Sequence, residues 1–281
     1  MSGHLVQNSD EGAPRVTRDR VLELLREASA GKGEGWCSGE DMSRKLGLSR
    51  AAVGKHVKAL RAQGFLIEAV PRRGYRLLME EGEFSVSSVM SGLRTHLLGR
   101  KPWVWLEETD TTNNVAVRAA LDGAEEGCVV LAGRQSSGRG RRGRAWFSAP
   151  RSLAFTVVLR PSRTTAQELT HMALRAVSGA IREACGLECE IKEPNDVLLR
   201  GTKICGVLTE SGLRAEELDW VVVGIGVNVN VREEDFSPDI RERSGSLFLA
   251  TGRPVSRAEL LRRILELFEE SYLAAEGRQE A

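Results

Sequence analysis

The chain has 281 residues, with 40 Lys or Arg against 39 Asp or Glu and a formal net charge of +1; that length builds one or two domains with a real core, and the charge balance means that any nucleic-acid surface must be a local cluster. The five cysteines (Cys37, Cys128, Cys185, Cys189, Cys205) form no C-x-x-C and stand at no zinc spacing with a His, which argues against a disulfide framework or a metal site and for a reducing compartment. No signal peptide is legible and no apolar run approaches the ~18 residues of a membrane span, so a soluble cytoplasmic protein without a membrane partner is expected.

Residues 1–14 are small and polar and read as a disordered leader. Arg18 to Ala28 places Val21, Leu22, Leu24, Leu25 and Ala28 at helical spacing, and the glycines from Gly31 to Gly35 then break the chain. Ser38-Gly-Glu-Asp41 has the form of a capping box opening a short helix that stops at Gly47. Ser49 caps the next helix, which turns Ala52, Val53, Val57 and Leu60 inward and Arg50, Lys55, Lys58 and Arg61 outward. Two short strands follow, Phe65 to Val70 and Tyr75 to Leu78, joined by Pro71-Arg72-Arg73-Gly74. Helix, Gly-containing turn, helix and hairpin spell a winged helix-turn-helix over 15–79. Between Ser43 and Arg76 there are nine basic residues against the single acid Glu68. Ser49, Arg50, Lys55, Lys58, Arg61, Arg72 and Arg73 are therefore the candidate DNA contacts, at the positions where phosphates would lie. A winged helix used for protein contacts is the alternative. A Glu, Gly and Ser linker over 80–88 separates this module from a second domain, 89–281.

In the second domain Trp103 to Glu107 reads as a strand and Val115 to Leu121 as a helix. Asp110-Thr111-Thr112-Asn113 lies between them, suited to capping that helix or to binding a polar ligand head. Val129 to Ala132 is an apolar run that stops at Gly133-Arg-Gln-Ser-Ser-Gly-Arg-Gly-Arg-Arg-Gly-Arg144, and Trp146-Phe147 closes the segment. Glycines let a backbone approach a ligand and arginines offer forked donors, so this loop is expected to order around an anion. Gly138-x-Gly140-x-x-Gly143 also fits a dinucleotide fingerprint as a string. That fingerprint needs a helix after it and an acid about 20 residues on, whereas strand-like Ser152–Leu159 follows and position 163 is Arg. A solvated basic turn is the bland alternative. A helix is expected over Ala166–Cys185, and a Pro194-Asn195-Asp196 turn bracketed by Lys192 and Asp196 signals a hairpin that suits a metal-bound phosphate equally well. Lys203 to Glu210 and Trp220 to Asn230 read as strands, the second interrupted by Gly224 and Gly226, where a ligand or another part of the chain comes close. Ser256-x-x-Glu259 opens an amphipathic last helix. Strands interrupted by a few helices without regular alternation argue α+β with a mixed or mostly antiparallel sheet.

The blocks D-T-T-N at 110–113, G-R-Q-S-S-G-R-G-R-R-G-R-x-W at 133–146, K-x-P-N-D at 192–196, K-I-C-G-V-L-T-E at 203–210 and G-I-G-V-N at 224–228, behind a winged helix, resemble the bifunctional biotin protein ligase and biotin operon repressor family. Lipoate-protein ligases share the fold but not the Gly-Arg loop. The resemblance implies a class II aminoacyl-tRNA-synthetase-like catalytic fold and an acyl transfer in two steps. Biotin and Mg²⁺-bound ATP give biotinyl-5′-adenylate, which then acylates a lysine of biotin carboxyl carrier protein. It implies that Thr111, Thr112, Asn113, Gln135, Arg139, Gly140, Arg141, Lys203, Gly206 and Val207 meet biotin. It implies that Arg144, Trp146, Lys192, Asn195, Asp196 and Asn228 meet the nucleotide, and that Arg141, Lys203 and Asp196 act in catalysis. A homodimer forming on the adenylate and binding operator DNA is implied as well. The alternatives are a DNA-binding biotin sensor with little ligase activity, and a ligase whose winged helix regulates nothing. Glu193 stands where most members carry Trp, and the small SH3-like barrel that ends most members is expected to be absent, since the chain stops at Ala281 soon after its last helix.

Overall fold

The computed structural model describes residues 12–30, 35–62, 65–79, 84–214 and 217–278. Most of the expected leader and the start of the expected linker lie outside them. The chain forms two compact units, dividing after Gly82. No helix among the described residues is long and apolar enough to cross a membrane.

The first unit runs α1 (Gly12–Ala30), β1 (Trp36–Cys37), α2 (Gly39–Leu46), α3 (Arg50–Ala62), β2 (Leu66–Val70) and β3 (Gly74–Met79). Ser38 accepts from the amides of Glu40 and Asp41 to start α2, and Gly47 ends it with a left-handed φ of 64°. Ser49 accepts from the Ala52 amide to start α3. Val21, Leu25, Met42, Val53, Val57, Leu60 and Ile67 form its core. The strand β1, too short to show a period, pairs with β3 and makes the wing three-stranded, in the order β1-β3-β2.

The second unit adds α4 (Val86–Met90), β4 (Trp103–Thr109), α5 (Thr112–Leu121), β5 (Val129–Gln135), β6 (Leu153–Leu159), α6 (Ala166–Cys185), β7 (Glu190–Lys192), β8 (Asp196–Leu199), β9 (Thr202–Arg214), β10 (Glu217–Val227), α7 (Pro238–Arg241), α8 (Leu247–Thr251) and α9 (Arg257–Glu276). A reciprocal cap between Ser85 and Ser88 starts α4 inside the stretch read as linker. The strands form one sheet in the order β4-β5-β6-β10-β9-β8-β7. Only the β4–β5 pair is parallel; the other neighbours run antiparallel. The sheet is mixed and the class α+β, as the pattern of elements indicated.

Side chains alternate across a strand, and both faces of this sheet are covered. Val129, Leu131, Val157, Val221 and Val223 join α6 and α9 in the main core. Val130, Val158 and Val222 face Ala116 and Ala120 of α5 in a smaller one. Continuing along the α5 face, the register sets Thr156 beside Gly224 and Ala154 beside Gly226, then Gly224 beside Leu208 and Gly226 beside Gly206. Beyond the end of α5, therefore, three glycines, an alanine and a threonine leave Leu208 as the one large side chain among these positions, and the sheet opens into a pocket.

Candidate active site

The pocket is lined by Thr111, Thr112, Asn113, Gln135, Arg139, Gly140, Trp146, Asn195, Lys203, Gly206, Val207, Leu208, Gly224, Ile225 and Gly226. Its neutral end is the start of α5. Thr111 caps that helix by accepting from the Asn113 amide, so the cap reading and the binding reading fall on the same residue. Gln135, at the end of β5, accepts from the Thr112 amide at 2.7 Å and its hydroxyl at 3.1 Å. Asn113 donates to Leu208 O at 3.1 Å and to Glu210 at 2.7 Å. The Thr156 hydroxyl lies 2.8 Å from both Thr112 Oγ1 and Asn113 Oδ1. Thr111, Thr112, Asn113 and Thr156 are all buried. A buried polar network with its partners in place is rigid, because any rotation would leave a group unsatisfied at about 1–3 kcal/mol. Gly224 is what admits Asn113, since a Cβ there would stand 1.9 Å from Asn113 Oδ1.

The other end is cationic. Lys203, on β9, lies with Nζ 2.6 Å from Asp196 Oδ1 and 5.4 Å from the Trp146 ring centre. Asn195 braces the hairpin of β7 and β8 against β9, donating from its amide to Val207 O and accepting from Val207 N, both at 2.9 Å. The neighbouring Cys205 is no nucleophile, because complete burial pushes its thiol far above the ordinary range. Trp146 lies flat over the glycine slot, and a Cβ at Gly226 would come within 2.6 Å of the indole. Only about 40 Å³ of free space remains in the pocket, enough for a few waters. The indole Nε1 is buried without a partner, as is Asn228 Oδ1.

Above the pocket, residues 136–146 form a flap. Its first limb is pinned to the end of β4, with the Ser136 and Ser137 amides donating to Thr109 O and Asp110 O at 2.8 and 3.0 Å. The flap closes on itself through Gly140 N to Arg144 O at 2.7 Å and Trp146 N to Gly138 O at 2.8 Å. Its tip is a single 3₁₀ turn, Arg141–Gly143. A strand, β6, follows rather than a helix, so the dinucleotide-fingerprint reading is set aside. Arg139, Arg141, Arg142 and Arg144 are exposed. A neutral hydrogen-bonding end, a narrow apolar slot, a lysine and a set of exposed guanidinium groups suit a ligand that is neutral at its head and anionic at its tail.

The comparisons agree with this geometry. Residues 105–228 match the biotin/lipoate A/B protein ligase family and residues 18–76 match a helix-turn-helix domain. The bifunctional ligase/repressor BirA of Bacillus subtilis is 36% identical over 258 residues, covering 91% of this chain and 78% of the relative. The chain belongs to the family of bifunctional biotin protein ligase/repressors. Its Escherichia coli member is 28% identical over 267 residues, with 92% of this chain and 80% of the relative covered. Among solved structures, the biotin protein ligase from Aquifex aeolicus in complex with biotin and ATP superposes with a TM-score of 0.54 at 34% identity, covering 61% of this chain and 70% of that one.

Nine of the ten residues that resemblance assigned to biotin line the pocket; Arg141 stands outside it, on the flap tip. Val207 borders it through its main chain, its side chain being part of the main core. Among the nucleotide candidates, Asn195 and Trp146 line the pocket. Asp196 reaches it through Lys203. Lys192 and Arg144 are exposed nearby, and Asn228 is buried after the end of β10, its amide donating to Gly245 O at 3.0 Å. The indole of Trp146 occupies the slot itself, against Gly206 and Gly226. Leu208, Glu210 and Ile225 fell inside the matched blocks without a site role and Thr156 outside them; Thr156 and Leu208 follow from alternation once the register to Gly224 is known. Glu193 turns away to meet His171 at 3.1 Å.

In the winged helix Ser49, Arg50, Lys55, Lys58, Arg72 and Arg73 are exposed. Arg73 stacks on Trp36 at 4.9 Å, which orients its guanidinium at the wing. Arg61 stands apart from this set, because it donates from Nε and a terminal nitrogen to Ile67 O at 2.8 and 2.6 Å and ties α3 to β2.

Proposed function

We propose that this chain activates biotin with ATP and passes the biotinyl group to a lysine of biotin carboxyl carrier protein, and that its winged helix binds operator DNA in response to the liganded state. The observation that carries this reading is the placement of a fixed neutral network and Lys203 at opposite ends of one glycine-floored slot beneath the arginine flap. Biotin is polar and neutral at its ureido head, apolar along its arm and anionic at its carboxylate. The network of Thr111, Thr112, Asn113 and Gln135 reads the head. Gly206, Gly224 and Gly226 make room for the rings and arm, with Trp146 swinging out of the slot to admit them.

Lys203 then exchanges Asp196 for the biotin carboxylate. A carboxylate oxygen attacks the α-phosphorus of ATP, the new O–P bond forms, and the bond to the β-phosphate oxygen breaks to release pyrophosphate. The two reactants repel one another, so a cation between them lowers the barrier. The exposed Arg141 and Arg144 close over the phosphates. Mg²⁺ enters as part of the nucleotide substrate, and Asp196 would be a carboxylate available to it; among the described residues no cluster of three or more His, Cys, Asp or Glu forms a metal cage. In the second step the acceptor amine attacks the acyl carbon of the anhydride and AMP departs. Asp196, released from Lys203, accepts the proton of the incoming ammonium.

Ordering of the flap by the adenylate favours a homodimer, whose paired recognition helices, α3, meet two operator half-sites. Five free thiols accord with a cytoplasmic setting. Pyrophosphate release that depends on biotin tests the enzyme; release without biotin dependence, or none, contradicts it. A gel shift on the chain's own upstream DNA that sharpens with biotin plus ATP and weakens with salt tests the repressor; an unchanged shift leaves a ligase without a switch.

A further inference from the structure

Arg139 differs from the other flap arginines in having a fixed partner: its guanidinium donates to Asn114 Oδ1 on α5. That acceptor is itself aimed. The Asn114 amide nitrogen donates to Asp110 Oδ2, and Asp110 Oδ1 accepts from the Thr111 amide at 2.7 Å and the Thr109 hydroxyl at 3.0 Å. The Asn114 side chain, foremost, together with the Thr111 amide, holds the Asp110 carboxyl below the ordinary carboxylate range, so it is an anion at neutral pH. An ionised carboxylate accepts only, hence the amide must point its nitrogen toward Asp110 and its oxygen toward Arg139. Three residues from three places, the end of β4, the first turns of α5 and the flap, therefore form a relay with one orientation.

We infer that Asn114, oriented by Asp110, is a positioning residue that holds Arg139 at the mouth of the pocket and so preforms the first limb of the flap. Only the tip, Arg141 to Arg144, is then left to order on the ligand. The energetic consequence is a smaller entropic cost of closure. The inference rests on the assignment of this pocket to biotin and names the device that sets its lid.

The test is a double-substitution cycle of Asn114→Ala and Arg139→Ala, read as the biotin dissociation constant and the rate at which biotinyl-adenylate escapes the enzyme, with Tm recorded throughout. Each single substitution is expected to weaken biotin by roughly three- to ten-fold and to speed escape by a similar factor, the range for one charge-assisted hydrogen bond at a wet surface. The pair together is expected to cost no more than the worse single, because both remove the same contact. Asp110→Asn is expected to reproduce the Asn114→Ala effect in weaker form. Additive losses, or an Asn114→Ala protein that binds and retains ligand like wild type, would overturn the latch. Wild-type protein that fails to bind biotin would overturn the pocket assignment instead.

Discussion

The floor of the pocket and the flap above it are built on opposite principles. On the floor Thr111, Thr112, Asn113 and Thr156 are buried, each with a protein partner, Gln135 is half-buried against Thr112, and Gly224 on β10 is cut back to receive Asn113. In the flap the arginines are exposed and the tip is one 3₁₀ turn stitched by a few backbone bonds. On the proposed function, the difference assigns each half its own task. A preorganised, low-dielectric floor discriminates a neutral head, because a mismatched ligand leaves buried groups unpaired. A solvated set of guanidinium groups discriminates little until an anion draws it down, and so serves retention and charge stabilisation.

Substitutions break the comparison at different depths. Lys203→Ala, at the cationic end of the floor, is expected to cut biotin-dependent pyrophosphate release by about 10²–10³-fold while leaving Tm within a degree or two; near-normal turnover would remove Lys203 from the chemistry. Gly224→Ala drives a methyl into Asn113. It is expected to lose about 1–3 kcal/mol of stability, seen as a Tm lowered by several degrees, and to weaken biotin by about ten-fold or more; a variant with wild-type melting and affinity would show the floor to be plastic. Arg141→Ala, on the tip, should speed adenylate escape about ten-fold with Tm unchanged, and unaltered retention in a filter-binding assay would deny the flap its role. Glu193→Trp should change kcat/KM by less than about two-fold, because Glu193 faces His171 and not the pocket; a large gain would mean that this hairpin position governs the nucleotide after all.

The sequence already carried the flap, the hairpin of β7 and β8 and the capped helices, since each is written in contiguous glycine, proline, serine and charge signals. Thr112, Gln135, Lys203 and Gly206 were reachable only through resemblance, because their meeting depends on pairing β5, β6, β10 and β9 side by side, and register across distant strands leaves no local trace. The same holds for Asn114 and Asp110, which read as ordinary helix-start residues until Arg139 is seen beside them. Periodicity did signal Gly224 and Gly226 as places of close approach. What approaches them, Asn113 and the Trp146 indole, comes from parts of the chain about 80 to 110 residues away. Charge counting grouped Arg61 with the candidate DNA contacts because composition does not reveal that its guanidinium closes on Ile67 O.

The most direct measurement is isothermal titration of biotin into wild-type protein, Thr112→Val and Arg141→Ala side by side. Saturable one-site binding by the wild type, weakened about ten-fold or more in Thr112→Val and distinctly less in Arg141→Ala, is the outcome this division of labour requires. Absence of saturable heat with the wild type, or an Arg141→Ala loss as large as that of Thr112→Val, would contradict it.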